Sequence, residues 1–365
     1  MSIVYALLIV VLLSCGLAVL LLLAEAVLVD YGECTITINE EDELKVEGGK
    51  TLLATLMEED IFVPSACGGR GSCGLCKVQV EEGAGPILPT ETPQLTDEEM
   101  ENNVRLSCQI KVRSDMSISL PEAILSLEQY ETRVDNIVEL NYDTRLIGLE
   151  LIEPPELDFE PGQYIQLETP AYGKTPEPVY RAYSIASPAT EPGHLELIIR
   201  RAPNGICTTY IFELLEEGQK LNMNGPHGEF YLRDTDREIV FIAGGSGVAP
   251  IRSILYQMAE QKIERKATFF YGANEMRDFY LQDQLKGFED KIPNYTYVPA
   301  LAQPKPEDEW DGETGLVTEV VDRWIDDASH QGFYLCGSPG LIDAAVETLQ
   351  SKGLTEDRTF YDKFT

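Results

Sequence analysis

Four cysteines constrain this chain more than anything else in it. Cys67, Cys73 and Cys76 share one loop with the spacing C-x5-C-x2-C, and Cys108 follows after 31 further residues. Three thiolates on a tight loop with a distant fourth suit a [2Fe–2S] cluster, although the loop is one residue longer than the plant-type spacing. The loop reads Ser65-Ala66-Cys67-Gly68-Gly69-Arg70-Gly71-Ser72-Cys73-Gly74-Leu75-Cys76, and its glycines let backbone N–H groups approach the sulfurs. A structural zinc is the main alternative, but zinc ribbons usually pair two C-x2-C knuckles and only one is present. A disulfide framework is the other. Cys15 and Cys34 stand outside the pattern and read as inert.

A second constraint lies upstream. Residues 3–24 carry no charge; as a helix they would reach about 33 Å, enough for a bilayer core of about 30 Å. We expect one membrane-spanning helix within residues 1–30, with a cleaved signal peptide as the alternative. The flanks carry no Lys or Arg, so charge does not orient the helix. The chain has 28 Lys plus Arg against 62 Asp plus Glu, a net charge of −34. That excludes a phosphate-backbone binder, whose affinity needs basic groups; we expect no nucleic-acid partner. Anionic cofactors must then be met by local arginines and helix N-termini.

Three globular segments follow. Residues 33–128 mix short strands with one helix and read as a small α+β domain; strands are expected at Thr35–Ile38, Glu43–Val46, Lys77–Val80, Leu106–Val112 and Met116–Leu120, with a capping box at Thr96 to Glu99. Residues 130–234 are nearly all strand signals punctuated by Pro and Gly, which favours an antiparallel β-barrel. Residues 236–365 alternate strands and helices, which implies an α/β parallel sheet.

Chemistry-bearing phrases fall in the last two segments. Arg181-Ala182-Tyr183-Ser184 sits on a barrel strand: Arg181 can neutralise a pyrophosphate, Tyr183 can stack on an isoalloxazine and Ser184 can bond flavin N5. Gly205-Ile206-Cys207-Thr208 opens a helix whose N-terminus can take phosphate, and Ile199 and Arg200 end a neighbouring strand. Gly244-Gly245-Ser246-Gly247-Val248-Ala249-Pro250 follows a buried strand and opens a helix, the context a dinucleotide site requires. Cys336-Gly337 ends another strand, where a soft thiol can lie beside a nicotinamide. After the strand ending at Tyr271, Asn274 and Glu275 precede Arg277, which favours NADH over NADPH because Glu repels a 2′-phosphate. His194, His227 and His330 read as loop or surface residues, and the acidic stretch Pro304–Glu313 as a solvated loop.

The four cysteines, Arg181–Ser184, Gly225-Pro226-His227-Gly228-Glu229-Phe230, Gly244–Pro250 and Cys336-Gly337-Ser338-Pro339 together resemble the ferredoxin–NADP⁺ reductase superfamily with an N-terminal plant-type ferredoxin domain. The cysteine loop, Ile87-Leu88-Pro89-Thr90-Glu91 and Tyr361-Asp362-Lys363-Phe364 look specifically like the F subunits of Na⁺-translocating NADH:quinone oxidoreductases, over essentially the whole chain. The resemblance implies a β-grasp cluster domain, an FAD barrel and an NADH domain, with catalytic roles at Tyr183, Ser184, Cys336 and Phe364. Phe364 would lie near the isoalloxazine until nicotinamide displaces it. It also implies electron transfer from NADH through FAD to the [2Fe–2S] cluster, integral-membrane partner subunits, quinone as the complex's acceptor, and a bacterial inner membrane with the domains in the cytoplasm. Two departures stand out: the connector Pro170–Val179 is shorter than that family's, and Asn274 stands where it is expected to carry Arg. They keep open a membrane-anchored reductase serving a separate oxygenase, desaturase or other redox protein; a non-catalytic redox sensor is the third reading.

Overall fold

The structure, a computed structural model, describes residues 2–28 and 31–364, and within the first helix the side chains of Tyr5 and residues 7–20. Met1, Val29, Asp30 and Thr365, which the expected 1–30 and 236–365 segments include, lie outside the described residues. Helix α1 spans Ser2–Leu28. Among the described residues no helix is long and apolar enough to cross a membrane, so the expected membrane-spanning helix is not borne out there. The chain groups into two compact units, residues 1–63 with 69–125, and residues 64–68 with 126–365.

In the first unit, β1 (Glu33–Ile38), β2 (Asp42–Glu47), α2 (Leu52–Glu58), β3 (Lys77–Glu82), α3 (Asp97–Glu101), β4 (Val104–Leu106), β5 (Met116–Ser119) and α4 (Glu122–Leu125) follow in order. The sheet runs β2-β1-β5-β3-β4, with β1 and β5 parallel and the other pairs antiparallel. Alternation in β1 places Cys34, Ile36 and Ile38 in the core against Leu52 and Leu56 of α2. Thr51 Oγ1 caps α2, and the Thr96–Glu99 capping box opens α3 as its residues predict. The strand expected over Leu106–Val112 is a correction. Leu106, Cys108, Ile110 and Val112 are all buried, but so is Ser107; the chain turns after Leu106 and only Lys111 bridges, to Thr51.

The second unit carries two sheets. β6 (Glu128–Glu139), β7 (Thr144–Glu153), β8 (Tyr164–Thr169), β9 (Val179–Ser184), β10 (His194–Arg200), α5 (Ile206–Glu213) and β11 (Lys220–His227) form the first. Its antiparallel order is β10-β7-β6-β11-β8-β9, and an Ile185–Leu197 bridge brings the two edges together into a barrel. Then come β12 (Glu238–Gly244), α6 (Val248–Glu260), β13 (Ala267–Ala273), α7 (Gln282–Gly287), β14 (Tyr295–Leu301), β15 (Glu313–Thr314), α8 (Val317–Trp324), β16 (Gln331–Gly337), α9 (Pro339–Gln350) and β17 (Thr359–Lys363). This sheet is parallel throughout, ordered β15-β14-β13-β12-β16-β17. Strand order reverses about β12, so ligand chemistry belongs beyond the C-terminal ends of β12 and β16. β17 escaped the sequence reading because Thr359–Lys363 is short and polar.

One core spans both sheets: Leu146, Ala186 and Ile198 of the barrel pack with Phe241, Ile251 and Tyr334. Arg252 staples them. It is 4% exposed, and its guanidinium donates to Glu196 Oε2 (2.5 Å), Ala186 O (2.8 Å), Gln284 Oε1 (2.7 Å) and Tyr256 Oη (3.1 Å). Beside it, Ser253 Oγ donates to Ser187 O at 2.7 Å.

Candidate functional site

A cleft of about 470 Å³ opens where the strand-order reversal predicts. Arg200, Gly245, Ser246, Asn274, Gly337 and Phe364 line it, together with residues of the barrel's Asn141–Thr144 turn. Gly244 also lines it, whereas the expected Gly247 and Pro250 are buried in the turn and the first turn of α6, away from the lining. A Cβ on Gly247 would meet Cys336 O at 2.1 Å, so the turn presses directly on the end of β16. Phe364 is held there by its backbone N–H, which donates to Gly337 O at 2.9 Å.

Behind the cleft the barrel and the parallel sheet bring three groups together. Ser184 Oγ donates to Asp362 Oδ2 at 3.3 Å, across 178 positions of sequence. Burial pushes the Asp362 carboxyl up to about 6, with the Ser184 hydrogen bond pulling the other way. The Cys336 thiol is fully buried, and burial followed by the nearby Asp362 charge pushes it well above the ordinary thiol range. It stays a neutral thiol. Asp362 is the site residue the sequence reading missed; no local motif marks its pairing with Ser184.

The expected flavin residues occupy one side of the barrel. Arg181 Nη1 donates to Tyr180 O, and the Tyr183 ring packs on the barrel core while burial raises its phenol. Ala182 lies between them on β9. Gly205 starts α5 with no side-chain cap, which leaves the helix N-terminus for an anion. Cys207 is buried with Sγ toward Val179 O, Thr208 Oγ1 is engaged with Ala202, and Ile199 is a core residue. An uncapped helix start, an arginine and a ring on adjacent elements fit the FAD pyrophosphate and ring system.

The basic side chains near Asn274 are paired. Glu275 Oε2 accepts from Lys305 Nζ at 2.9 Å and lies 3.3 Å from Arg277 Nε. Arg277 also lies over the Tyr142 ring. Both cations near Asn274 are thus paired, and no unpaired basic pocket awaits a 2′-phosphate among these residues. Lys305 belongs to the acidic stretch expected to be a solvated loop; most of Pro304–Glu313 is exposed and none of it buried, and it is tacked down where Trp310 stacks on Phe279 and Glu313 accepts from Arg323 and Trp324. His227 is a further correction. It is 3% exposed at the end of β11, stacked on Tyr164 and bonded to Asn224.

In the first unit Cys76 is buried and Cys73 half-buried. Cys76 and Cys108 share a hydrogen bond, which with burial and the nearby charges of Cys108 and Cys73 pushes the Cys76 thiol up. Cys67 is buried as well, on the segment grouped with the second unit. Among the described residues no three His, Cys, Asp or Glu side chains stand together as a metal-holding group. The loop fits an iron–sulfur group all the same. Gly71 holds φ +73°, a conformation that favours glycine, and the Gln109 amide of the Cys108 segment lies over it, within 2.8 Å of where a Cβ would stand. Ser107 N and Oγ both donate to Cys76 O, tying the two cysteine segments together. Soft thiols on such a frame suit iron.

Comparison with known proteins settles the family. A 2Fe-2S iron-sulfur cluster binding domain matches residues 36–113, an oxidoreductase FAD-binding domain residues 131–231 and an oxidoreductase NAD-binding domain residues 241–347. The chain is 36% identical to the F subunit of the Na(+)-translocating NADH-quinone reductase of Neisseria gonorrhoeae, over 96% of each chain. It belongs to the family of these F subunits. Another such relative, from Idiomarina loihiensis, is 34% identical over 95% of both. Among solved structures, the Amycolatopsis cytochrome P450 reductase GcoB is similar with TM-score 0.72 at 26% identity, covering 91% of this chain and 99% of that one. The ferredoxin reductase in carbazole 1,9a-dioxygenase gives 0.70 at 27%, covering 91% and 98%. As a family member the chain is an NADH-dependent oxidoreductase that uses NADH, FAD and a [2Fe–2S] cluster and passes electrons in that order.

Proposed function

We propose that this chain feeds electrons into a membrane NADH:quinone oxidoreductase of the Na⁺-translocating type, anchored through residues 3–24 in a bacterial inner membrane with residues 33–128, 130–234 and 236–365 as its cytoplasmic cluster, FAD and NADH domains. Its partners are integral-membrane subunits that carry the electrons on to quinone. The observation that carries the redox part is the convergence of Ser184, Asp362 and Cys336 behind a cleft lined by Arg200, Gly245 and Phe364.

Bound FAD supplies the conversion of a two-electron hydride into single electrons, and the cluster supplies their one-electron exit. This chain's residues do the alignment. Gly244, Gly245 and Ser246 cradle the coenzyme at the end of β12, with Arg200 as the local cation, itself held by Asp143 at 2.8 Å. Arg181 and the start of α5 hold pyrophosphate, and Tyr183 supports the flavin ring. Phe364, lining the cleft, would cover the flavin ring where nicotinamide must come in. Asp362 Oδ2 accepts from the Ser184 hydroxyl and so orients it, while Cys336 would give the nicotinamide an uncharged, polarisable neighbour. Cys67, Cys73, Cys76 and Cys108 are the iron ligands in this reading.

A second reading, a reductase serving a separate oxygenase or other redox protein, draws support from the P450-reductase and dioxygenase-reductase structures that cover nine-tenths of the chain. Purifying the tagged chain from its native membranes in mild detergent separates the two. Multi-span subunits in fixed ratio, with flavin and iron on this chain, are the expected result. A lone flavoprotein, or one with a single soluble redox partner, would overturn the quinone-reductase reading.

A further inference from the structure

We propose that Gln109 tunes the iron–sulfur cluster: its side-chain amide donates a hydrogen bond to the Cys108 sulfur and raises the cluster's reduction potential. The inference rests on the reading of Cys108 as an iron ligand.

Gln109 Nε2 stands 3.3 Å from Cys108 Sγ. The same nitrogen is 3.4 Å from Cys108 O and 3.5 Å from Gly69 O. All three neighbours are acceptors, so chemistry fixes which end of the amide faces them: the NH₂ group, with two donors, and not the carbonyl oxygen. The backbone holds this side chain in place. Gln109 N–H donates to Leu106 O at 2.8 Å, closing the turn that ends β4. The amide also occupies the space a side chain on Gly71 would need, 2.8 Å from that Cβ position, so the cysteine loop is shaped around it. Gln109 is therefore built into the loop on both sides, beside a ligand sulfur.

The electrostatics set the sign. Adding an electron to a thiolate-ligated cluster increases negative charge on its sulfurs. An N–H aimed at one of them is worth more in the reduced form than in the oxidised form, so it favours reduction. Backbone N–H groups can do this at any residue; a side-chain donor can be removed without disturbing the chain. No electron or proton is consumed by this contact, which acts only on the equilibrium between flavin and cluster.

The test uses the full-length chain in detergent with its FAD and cluster in place. Gln109→Met keeps length and loses both donors; Gln109→Glu places an acceptor at the same spot. Both should retain wild-type iron content and visible absorption. In redox titrations followed by electron paramagnetic resonance, Gln109→Met should shift the flavin–cluster electron distribution about tenfold toward the flavin, a fall of about 59 mV for a one-electron couple. Gln109→Glu should fall further. A wild-type midpoint in both variants, with iron intact, would overturn the proposal. So would loss of iron from both, which would make Gln109 a support for the loop and not a tuning donor. Absence of iron and sulfide from the wild-type protein would instead sink the cluster reading itself, and this inference with it.

Discussion

Arg105 and Arg252 are both nearly inaccessible to water, and each meets a glutamate. Arg105 forks onto Glu91, Nε at 3.0 Å and Nη2 at 2.6 Å, and spends its other donors on Gly85 O and Pro86 O. Glu91 is itself fully buried, and its two oxygens also take the N–H groups of Leu88 and Leu106. Every partner of this pair lies within the cluster unit, two to three residues from Cys108 or on the loop Gly85–Glu91. Arg252 instead reaches from α6 across to the barrel, where Glu196 is 22% exposed on its side chain. The first pair closes a loop on itself; the second fixes one sheet against another. Burial of a charge is costly in both places, and its use differs: it shapes a ligand frame in one and sets an inter-sheet alignment in the other.

That contrast is open to a direct attack. Glu91→Ala leaves Arg105 charged and unpaired, and should cost the cluster unit about 3–5 kcal/mol. Thermal bleaching of the cluster absorption would report it, while flavin reduction by NADH should be unaffected. Arg252→Met should leave cluster absorption alone and slow stopped-flow flavin reduction by up to about 100-fold, the scale of an ångström-level misalignment. Equal effects of the two substitutions on both readouts would erase the distinction.

His227 extends the comparison to a buried group that avoids charge. Burial lowers its pKa from 6.5 to about 4. The unfolded chain therefore takes up a proton between those pH values that the folded barrel does not, so stability is full above pH 6.5 and falls as pH drops toward 4. The slope approaches about 1.4 kcal/mol per pH unit, or about 3 kcal/mol over the window. Denaturant titrations of flavin release across that range would measure it, and His227→Phe should flatten the slope; an unchanged slope would mean that other groups carry the acid sensitivity.

The smallest effect concerns a glutamate at the rim, where water competes. Glu275 holds Lys305 and Arg277. Glu275→Gln should release both toward a 2′-phosphate and improve kcat/KM for NADPH relative to NADH about tenfold, equivalent to about 1.4 kcal/mol. No change in that ratio would place coenzyme choice elsewhere in the cleft.

Legibility in the sequence follows the reach of each interaction. The cysteine loop, Arg181–Ser184 and the Gly244–Gly247 turn are local and stand out as words. Ser184 with Asp362, Arg200 with Asp143, and Arg252 with Glu196 join residues 178, 57 and 56 positions apart, and nothing near either partner announces the other. Leu106–Val112 misled in a different way: apolar residues at Leu106, Ile110 and Val112 do not require a ladder, and an irregular segment pinned at Leu106 and Lys111 buries them equally well. His227 was hidden by the turn-forming Gly225, Pro226 and Gly228 around it, although β11 runs through to His227.

The contact between Gly247 and Cys336 O has a mechanical meaning. The Gly244–Gly247 turn and the thiol-bearing end of β16 are pressed together: a first side-chain atom on Gly247 would stand 2.1 Å from Cys336 O, with no compressible side chain between them. A displacement of either one must be transmitted to the other in full. Two short phrases some ninety residues apart therefore behave as one rigid part bordering the cleft.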